Sequence, residues 1–103
     1  MFEFNRVTNG FNYIFEKVLA PNEEAIVKMP AISANKRGIN DIGWQTDGDN
    51  VVLYGTLSRR PKDDNALWQE IEAYNDVNKT VSALKIINKG DKECRIIIRV
   101  ILN

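Results

Sequence analysis

Apolar and polar residues alternate most clearly over residues 81–102. Since strand side chains point alternately to the two faces of a sheet, one face of a strand over 94–102 carries Cys94, Ile96, Ile98, Val100 and Leu102. The opposite face carries Arg95, Ile97, Arg99 and Ile101. A second apolar run covers 81–88, and the polar segment 89–92 contains a glycine. This pattern predicts an antiparallel hairpin in which 81–88 pairs with 94–102 through a turn at Asn88 to Asp91.

Short apolar runs bounded by turn residues predict further strands at 2–8, 11–19, 24–29, 39–46 and 50–58. Asn9-Gly10 favours a two-residue type I′ turn after the first of these. Asp47-Gly48-Asp49 favours a hairpin between 39–46 and 50–58. Regularly spaced short strands are typical of a sandwich or barrel. We therefore expect a single all-β domain over 1–103, an antiparallel β-sandwich of about seven or eight strands, Ig-like or jelly-roll-like.

The segment 64–75 fits both a strand and a short helix. Leu67, Ile71 and Tyr74 fall near helical spacing, after an acidic start that can cap a helix. As a strand, the segment places Leu67 and Ile71 on one face and Trp68 on the other. Because the surrounding sequence has β character, we predict the strand.

The alternation also predicts which residues form the core: Leu53, Leu57, Leu84, Ile86, Ile96, Ile98 and Val100. Cys94 is the one cysteine of the chain and shares a face with Ile96. We expect it to act as a small buried apolar residue, in a protein that matures in a reducing cytoplasm.

The composition argues against several classes of function. A formal net charge of zero opposes a general affinity for nucleic acid or anionic membranes. The apolar runs are shorter than the roughly 20 residues of a membrane span, and nothing in the first residues suggests a secretory signal. Histidine is absent, and Ser58 stands where a calcium loop beginning at Asp47 needs glutamate. We expect no catalytic, cofactor or metal site and no enzymatic activity.

Two features suggest a protein interface instead. Ile97 and Ile101 alternate with Arg95 and Arg99 on one face of the last strand, and arginine among apolar residues is typical of protein contacts. A cover formed by the protein itself, such as the N-terminal strand, accounts for these isoleucines as well. The basic cluster at 59–62 is either a solvated loop or a contact with an acidic surface or neighbouring subunit. The candidate interface comprises Arg59, Arg60, Lys62, Arg95, Ile97, Arg99 and Ile101.

The C-terminal part of the chain also carries a resemblance. It rests on the segments Tyr54-Gly-Thr-Leu-Ser58, Arg60-Pro61, Trp68-Gln-Glu-Ile71, Ala83-Leu-Lys-Ile-Ile-Asn88 and Ile96-Ile-Ile-Arg-Val-Ile-Leu-Asn103. Over about residues 40–103 the chain resembles the small β-sandwich proteins of tailed-phage virions, the capsid auxiliary (decoration) and head-fibre proteins. The resemblance implies a structural protein of the virion, made in the host cytoplasm. It implies binding to the major capsid protein or another virion protein, and a homo-oligomer, for which a trimer is one arrangement.

Two other classes of function stay open. The first is a carbohydrate-binding or adhesin-type β-sandwich module, in which aromatic residues stack on sugar rings. Its candidate residues are Trp44, Tyr54, Trp68 and Tyr74, although Trp68 beside Leu67 and Ile71 is more typical of a core tryptophan. The second is a small phage-encoded inhibitor or regulator of a host protein.

Overall fold

The structure, a computed structural model, describes residues 1–6, 12–29, 39–56, 61, 66–71 and 82–102, and the regular secondary structure in these ranges is all β-strand. These residues form nine strands and no helix. The strands are β1 (Phe2–Glu3), β2 (Asn5–Arg6), β3 (Asn12–Leu19), β4 (Glu24–Lys28), β5 (Ile39–Thr46), β6 (Val51–Thr56), β7 (Gln69–Glu70), β8 (Ala83–Asn88) and β9 (Cys94–Leu102).

The strands form two packed sheets, the layering of a β-sandwich. A five-stranded sheet has the order β1-β4-β8-β6-β7, and a four-stranded sheet has the order β2-β3-β9-β5. The all-β sandwich expected from the sequence is thus confirmed at the level of two layers. Among the described strands, all pairings are antiparallel except that of β1 with β4, which is parallel. The expectation of a wholly antiparallel arrangement was therefore wrong at the N-terminus.

The core lies between the two sheets and draws on both. The five-stranded sheet contributes Ala25, Val27, Met29, Leu53, Leu84 and Ile86, and the four-stranded sheet contributes Phe15, Leu19, Cys94, Ile96, Ile98 and Val100. Six of the seven predicted core residues are buried, and Leu57 lies outside the described residues. Since burying one such aliphatic side chain contributes about 1.5–3 kcal/mol, these two inner faces are the main source of stability.

The predicted C-terminal hairpin was wrong. β8 pairs with β4 and β6, whereas β9 pairs with β3 and β5 in the other sheet. The segment 89–93 therefore crosses from one sheet to the other. The two most apolar runs of the chain each occupy a central position with a neighbour on both sides, and their buried side chains belong to the same core.

The predicted hairpin around Asp47-Gly48-Asp49 was wrong for the same reason. β5 lies in the four-stranded sheet and β6 in the five-stranded one, so this segment also crosses between the layers. Asp47 binds β9 and not β6, because its Oδ1 accepts a hydrogen bond from the Arg95 amide at 2.8 Å. Gly48 passes so close to the core that an added Cβ would lie 2.8 Å from Val51 Cγ2 and 2.9 Å from Cys94 Cβ. A side chain does not fit at this crossing.

The N-terminal strand predicted over 2–8 is divided at Phe4. β1 joins the five-stranded sheet and β2 joins the four-stranded one, which raises the number of strands above the expected seven or eight. Packing on Phe15 accounts for the crossing, since its ring centroid lies 5.7 Å from that of Phe2 and 6.0 Å from that of Phe4. β2 pairs antiparallel with β3 as expected, while the Asn9-Gly10 turn lies outside the described residues.

Within 64–75, the strand prediction is confirmed for the two residues of β7, which pair with Tyr54 and Gly55 of β6. The described residues 66–71 contain no helix. Trp68 is half-buried, so its interpretation as a core tryptophan was wrong, and Leu67 is 85% exposed. Both follow from the position of β7 at an edge of the sheet.

Candidate protein-interaction site

The candidate site is the outer face of the four-stranded sheet, which we call the arginine–isoleucine face. It consists of Ile14, Glu16, Val18, Gln45, Arg95, Ile97 and Arg99. The strand register places these residues together, because residues directly opposite each other in an antiparallel pair share a face. Ile97 lies opposite Glu16 on one side and Gln45 on the other, and Arg99 lies opposite Ile14 and Gly43. The facing predicted for β9 is confirmed, since Ile96 and Ile98 are buried while Arg95 and Arg99 are exposed.

This face is accessible in the described part of the chain. Val18 is 44% exposed, and Ile14 and Ile97 are half-buried. The N-terminal strand does not cover it: β2 lies beside β3 and extends the same sheet, and β1 belongs to the other sheet. The interpretation that the N-terminal strand buries these isoleucines was therefore wrong.

The predicted interface residues divide into two groups. Arg95, Ile97 and Arg99 lie together on β9, and Ile101 belongs to the same strand, opposite Asn12 and Asp41. Arg59, Arg60 and Lys62 lie outside the described residues. Sequence reasoning missed Ile14, Glu16, Val18 and Gln45. Their alternation with inward residues was visible, but their place beside β9 depends on the register.

The charges on the face are unequal. Arg95 Nε lies 3.2 Å from Glu16 Oε1, and both side chains are largely exposed. Such exposed pairs contribute little to stability, but this one neutralises Arg95. Arg99 has no ion pair among the described residues, and its cross-strand neighbours Ile14 and Gly43 carry no charge.

A groove borders the face where β5 ends and β9 begins. It has a volume of about 590 Å³, and its described lining is Trp44, Gln45, Thr46, Asp47, Arg95 and Ile97. Trp44 lies opposite Ile98 and packs against the core with part of its ring. The groove thus combines an aromatic and an aliphatic wall with a polar rim, the composition of many sites that hold one side chain of a partner.

Cys94 lies beneath this end of the sheet and is buried. Burial raises the pKa of its thiol above the ordinary value of 9.0, a hydrogen bond with the Thr46 side chain opposes the shift, and the Asp47 and Glu93 carboxylates add to it. The thiol is therefore neutral and unreactive at physiological pH, as the sequence predicted for a small apolar core residue.

We expect native Cys94 to react with a thiol reagent at pH 8 roughly 100-fold or more slowly than in urea, because access requires the sheets to open. Cys94→Ala provides the unlabelled control. Since the folded pKa is raised, the neutral thiol stabilises the fold below pH 9 and this contribution is lost as the pH rises through the folded pKa. Equal labelling rates with and without urea would contradict the burial of this side chain.

The aromatic residues considered for sugar binding do not form one platform. Tyr54 and Trp68 share the outer face of the five-stranded sheet, whereas Trp44 belongs to the other sheet and Tyr74 lies outside the described residues. Lys85 Nζ lies 4.4 Å from the centroid of the Trp68 ring, and Lys89 Nζ lies 3.5 Å from the Tyr54 hydroxyl. One face of the Trp68 ring is thus occupied by a cation.

The described residues contain no group of three or more histidine, cysteine, aspartate or glutamate side chains placed to hold a metal ion. Likewise, no helix in them has the length and apolarity needed to cross a membrane. No protein-family model matches this chain, and no curated protein or solved structure matches it either.

Proposed function

We propose that this chain is a non-enzymatic structural component of a bacteriophage virion, which binds the capsid or neck surface through the arginine–isoleucine face. The observation that carries the proposal is the outer face of β3 and β9. Ile14, Val18 and Ile97 interrupt a charged sheet surface that the described residues leave uncovered. A centre of apolar side chains with arginines at its border is the composition of a protein contact.

The resemblance of residues 40–103 to auxiliary capsid and head-fibre proteins supports the virion as the location. Such proteins bind a lattice in many copies, so a modest contact per copy gives a tight attachment in sum. On this proposal the chain is made in the host cytoplasm, associates with its own copies and binds the major capsid protein or another virion protein.

The strand order supports a jelly-roll-like form of the sandwich. In a jelly roll the last strand lies between the first and third, and the second-last lies between the second and fourth, with the fifth beside the fourth. When β3 to β7 are counted as the first to fifth strands and β8 and β9 as the last two, both sheets follow this order. An Ig-like order places the first two strands side by side, whereas β3 and β4 lie in different sheets. Jelly rolls occur in viral capsid proteins and in lectins, so this likeness is fold-level analogy alone.

The test is incorporation of variants into particles purified from a culture that produces the protein. We expect Ile97→Asp combined with Arg99→Glu to lower the copy number per particle roughly tenfold or more, because it places charge at the apolar centre and reverses the rim. Lys28→Glu, an exposed charge reversal on the other sheet, serves as the control and should be incorporated normally. Quantitative mass spectrometry of the particles measures both.

Circular dichroism and denaturation midpoints of the isolated variants separate lost binding from lost folding. If the folded double variant enters particles at the normal copy number, the arginine–isoleucine face is not the attachment site. If the wild-type protein is absent from the particles, the virion role itself fails.

A further inference from the structure

The chemistry of the partner can be inferred from the charges on the arginine–isoleucine face. Arg95 is neutralised by Glu16 at 3.2 Å, which leaves Arg99 as an exposed cation without an ion pair among the described residues. Its cross-strand neighbours are Ile14, which carries no charge, and Gly43, which has no side chain. A partner that buries this face must supply an anion to Arg99, because an unpaired charge that loses its water is costly.

A second copy of this chain that stacks with its strands aligned to the first does not supply that anion. Consider two copies stacked face to face by a twofold axis through Ile97. An axis parallel to the strands places Arg95 on Arg95 and Arg99 on Arg99, and an axis across the strands places Arg95 on Arg99. Both arrangements bring like charges together, which opposes association. Stacking of two copies with aligned strands is therefore disfavoured at this face.

The groove indicates that the partner also contributes an apolar side chain. Its lining includes Trp44 and Ile97, and its volume of about 590 Å³ is ample for one large side chain. Gln45, Thr46, Asp47 and Arg95 also line it, and the Asp47 Oδ1 already accepts from the Arg95 amide, so the groove and the arginines of β9 are adjacent. Neighbouring residues of one extended segment can reach both.

We propose that the arginine–isoleucine face binds an acidic protein segment, which places a large apolar side chain in the groove beside Trp44 and Ile97 and a carboxylate on Arg99. The inference rests on the proposed function, since it names the chemistry of the partner bound at the same face. The carboxylate and guanidinium form a charge-assisted hydrogen bond, which is stronger than one between neutral groups. The binding is therefore sensitive to salt.

The probe is a synthetic blocked pentapeptide, Glu-Leu-Glu-Phe-Glu, titrated into the ¹⁵N-labelled protein. We expect amide shifts confined to Trp44 to Asp47 and Arg95 to Arg99, and a weaker affinity at 0.5 M than at 0.05 M salt. The matched peptide Lys-Leu-Lys-Phe-Lys should bind at least about tenfold more weakly. Arg99→Gln should weaken binding of the acidic peptide roughly tenfold, the effect of losing a charged hydrogen bond, while Lys28→Gln should leave it unchanged.

Several outcomes overturn the proposal. They are the absence of shifts at millimolar peptide, equal binding of the two peptides, and shifts that map to the five-stranded sheet. A dimer in analytical ultracentrifugation that dissociates in the Arg99→Gln variant would show that a second copy occupies the face. The particle assay reads out the proposed function separately. Peptide binding by a protein that is absent from particles keeps this inference and rejects the virion role.

Discussion

Replacing Ile98 with alanine is expected to lower the free energy of unfolding by about 2–5 kcal/mol. Ile98 is fully buried at the centre of β9, with Phe15 opposite on one neighbouring strand and Trp44 on the other. Truncation removes apolar contacts with both and leaves a cavity that two hydrogen-bonded neighbours prevent from collapsing. Urea denaturation followed by circular dichroism measures the change. An unaltered slope of the unfolding free energy against urea concentration would show that both proteins expose the same surface area on unfolding.

Ile97→Ala is the matched control, since it makes a comparable truncation one residue away on the outer face. Ile97 is half-buried, so we expect the cost to be about 1 kcal/mol or less, because much of its surface already contacts water. A larger loss of unfolding free energy for Ile97→Ala than for Ile98→Ala would show that β9 turns the opposite face toward the core. It would also remove the basis for the arginine–isoleucine face as a binding surface.

Alternation along the chain was sufficient to predict which side chains face the core. Ile86, Ile96 and Ile98 are buried as expected, because the period of a strand is local and depends only on the backbone pleat. For the same reason, the outward position of Arg95 and Arg99 was predictable. The face of a residue is thus encoded in its immediate neighbours.

The partner of each strand was not predictable in this way. Both 47–49 and 89–92 are short polar segments with a glycine, which suit a hairpin turn and a crossing between sheets equally well. The choice depends on contacts distant in sequence, such as the hydrogen bond from the Arg95 amide to Asp47. It also depends on competition for central positions, which β8 and β9 occupy. The residues of the candidate site on β3 were missed for the same reason, because their position beside β9 depends on this non-local register.

Three of the four described connections between the sheets, those after β3, β5 and β8, lie at one end of the sandwich. Asn88 joins two of them directly. Its side-chain amide donates to the carbonyl oxygens of Leu19 at 3.1 Å, Ala20 at 3.2 Å and Lys92 at 2.8 Å, and its Oδ1 accepts from the Gly90 amide at 3.0 Å. The backbone carbonyl of Asn88 also accepts from the Asn22 amide at 2.8 Å. The buried side chain of Asn88 therefore holds the crossings after β3 and β8 in place. Neither crossing is fixed by pairing between the strands that flank it.

We therefore expect Asn88→Ala to lower the free energy of unfolding by roughly 2–4 kcal/mol, because it removes three hydrogen bonds to carbonyl oxygens, of which the one to Leu19 is buried. The exposed Asn50 in the neighbouring crossing is the control, and Asn50→Ala should change stability by about 0.5 kcal/mol or less. Denaturant titration at pH 7 measures both. A cost for Asn88→Ala no larger than that for Asn50→Ala would show that its hydrogen bonds do not hold the crossings.

Asn88→Asp tests the direction of these hydrogen bonds. An ionised carboxylate has no hydrogen to donate and would face the carbonyl oxygens of Leu19, Ala20 and Lys92, so the fold favours its protonated form and raises its pKa. A raised folded pKa means that the variant is least impaired below the unfolded value of about 3.9. The difference in unfolding free energy between wild type and Asn88→Asp should grow as the pH rises from 3 to 7. A difference that stays constant over this range would contradict the donor role of the Asn88 amide.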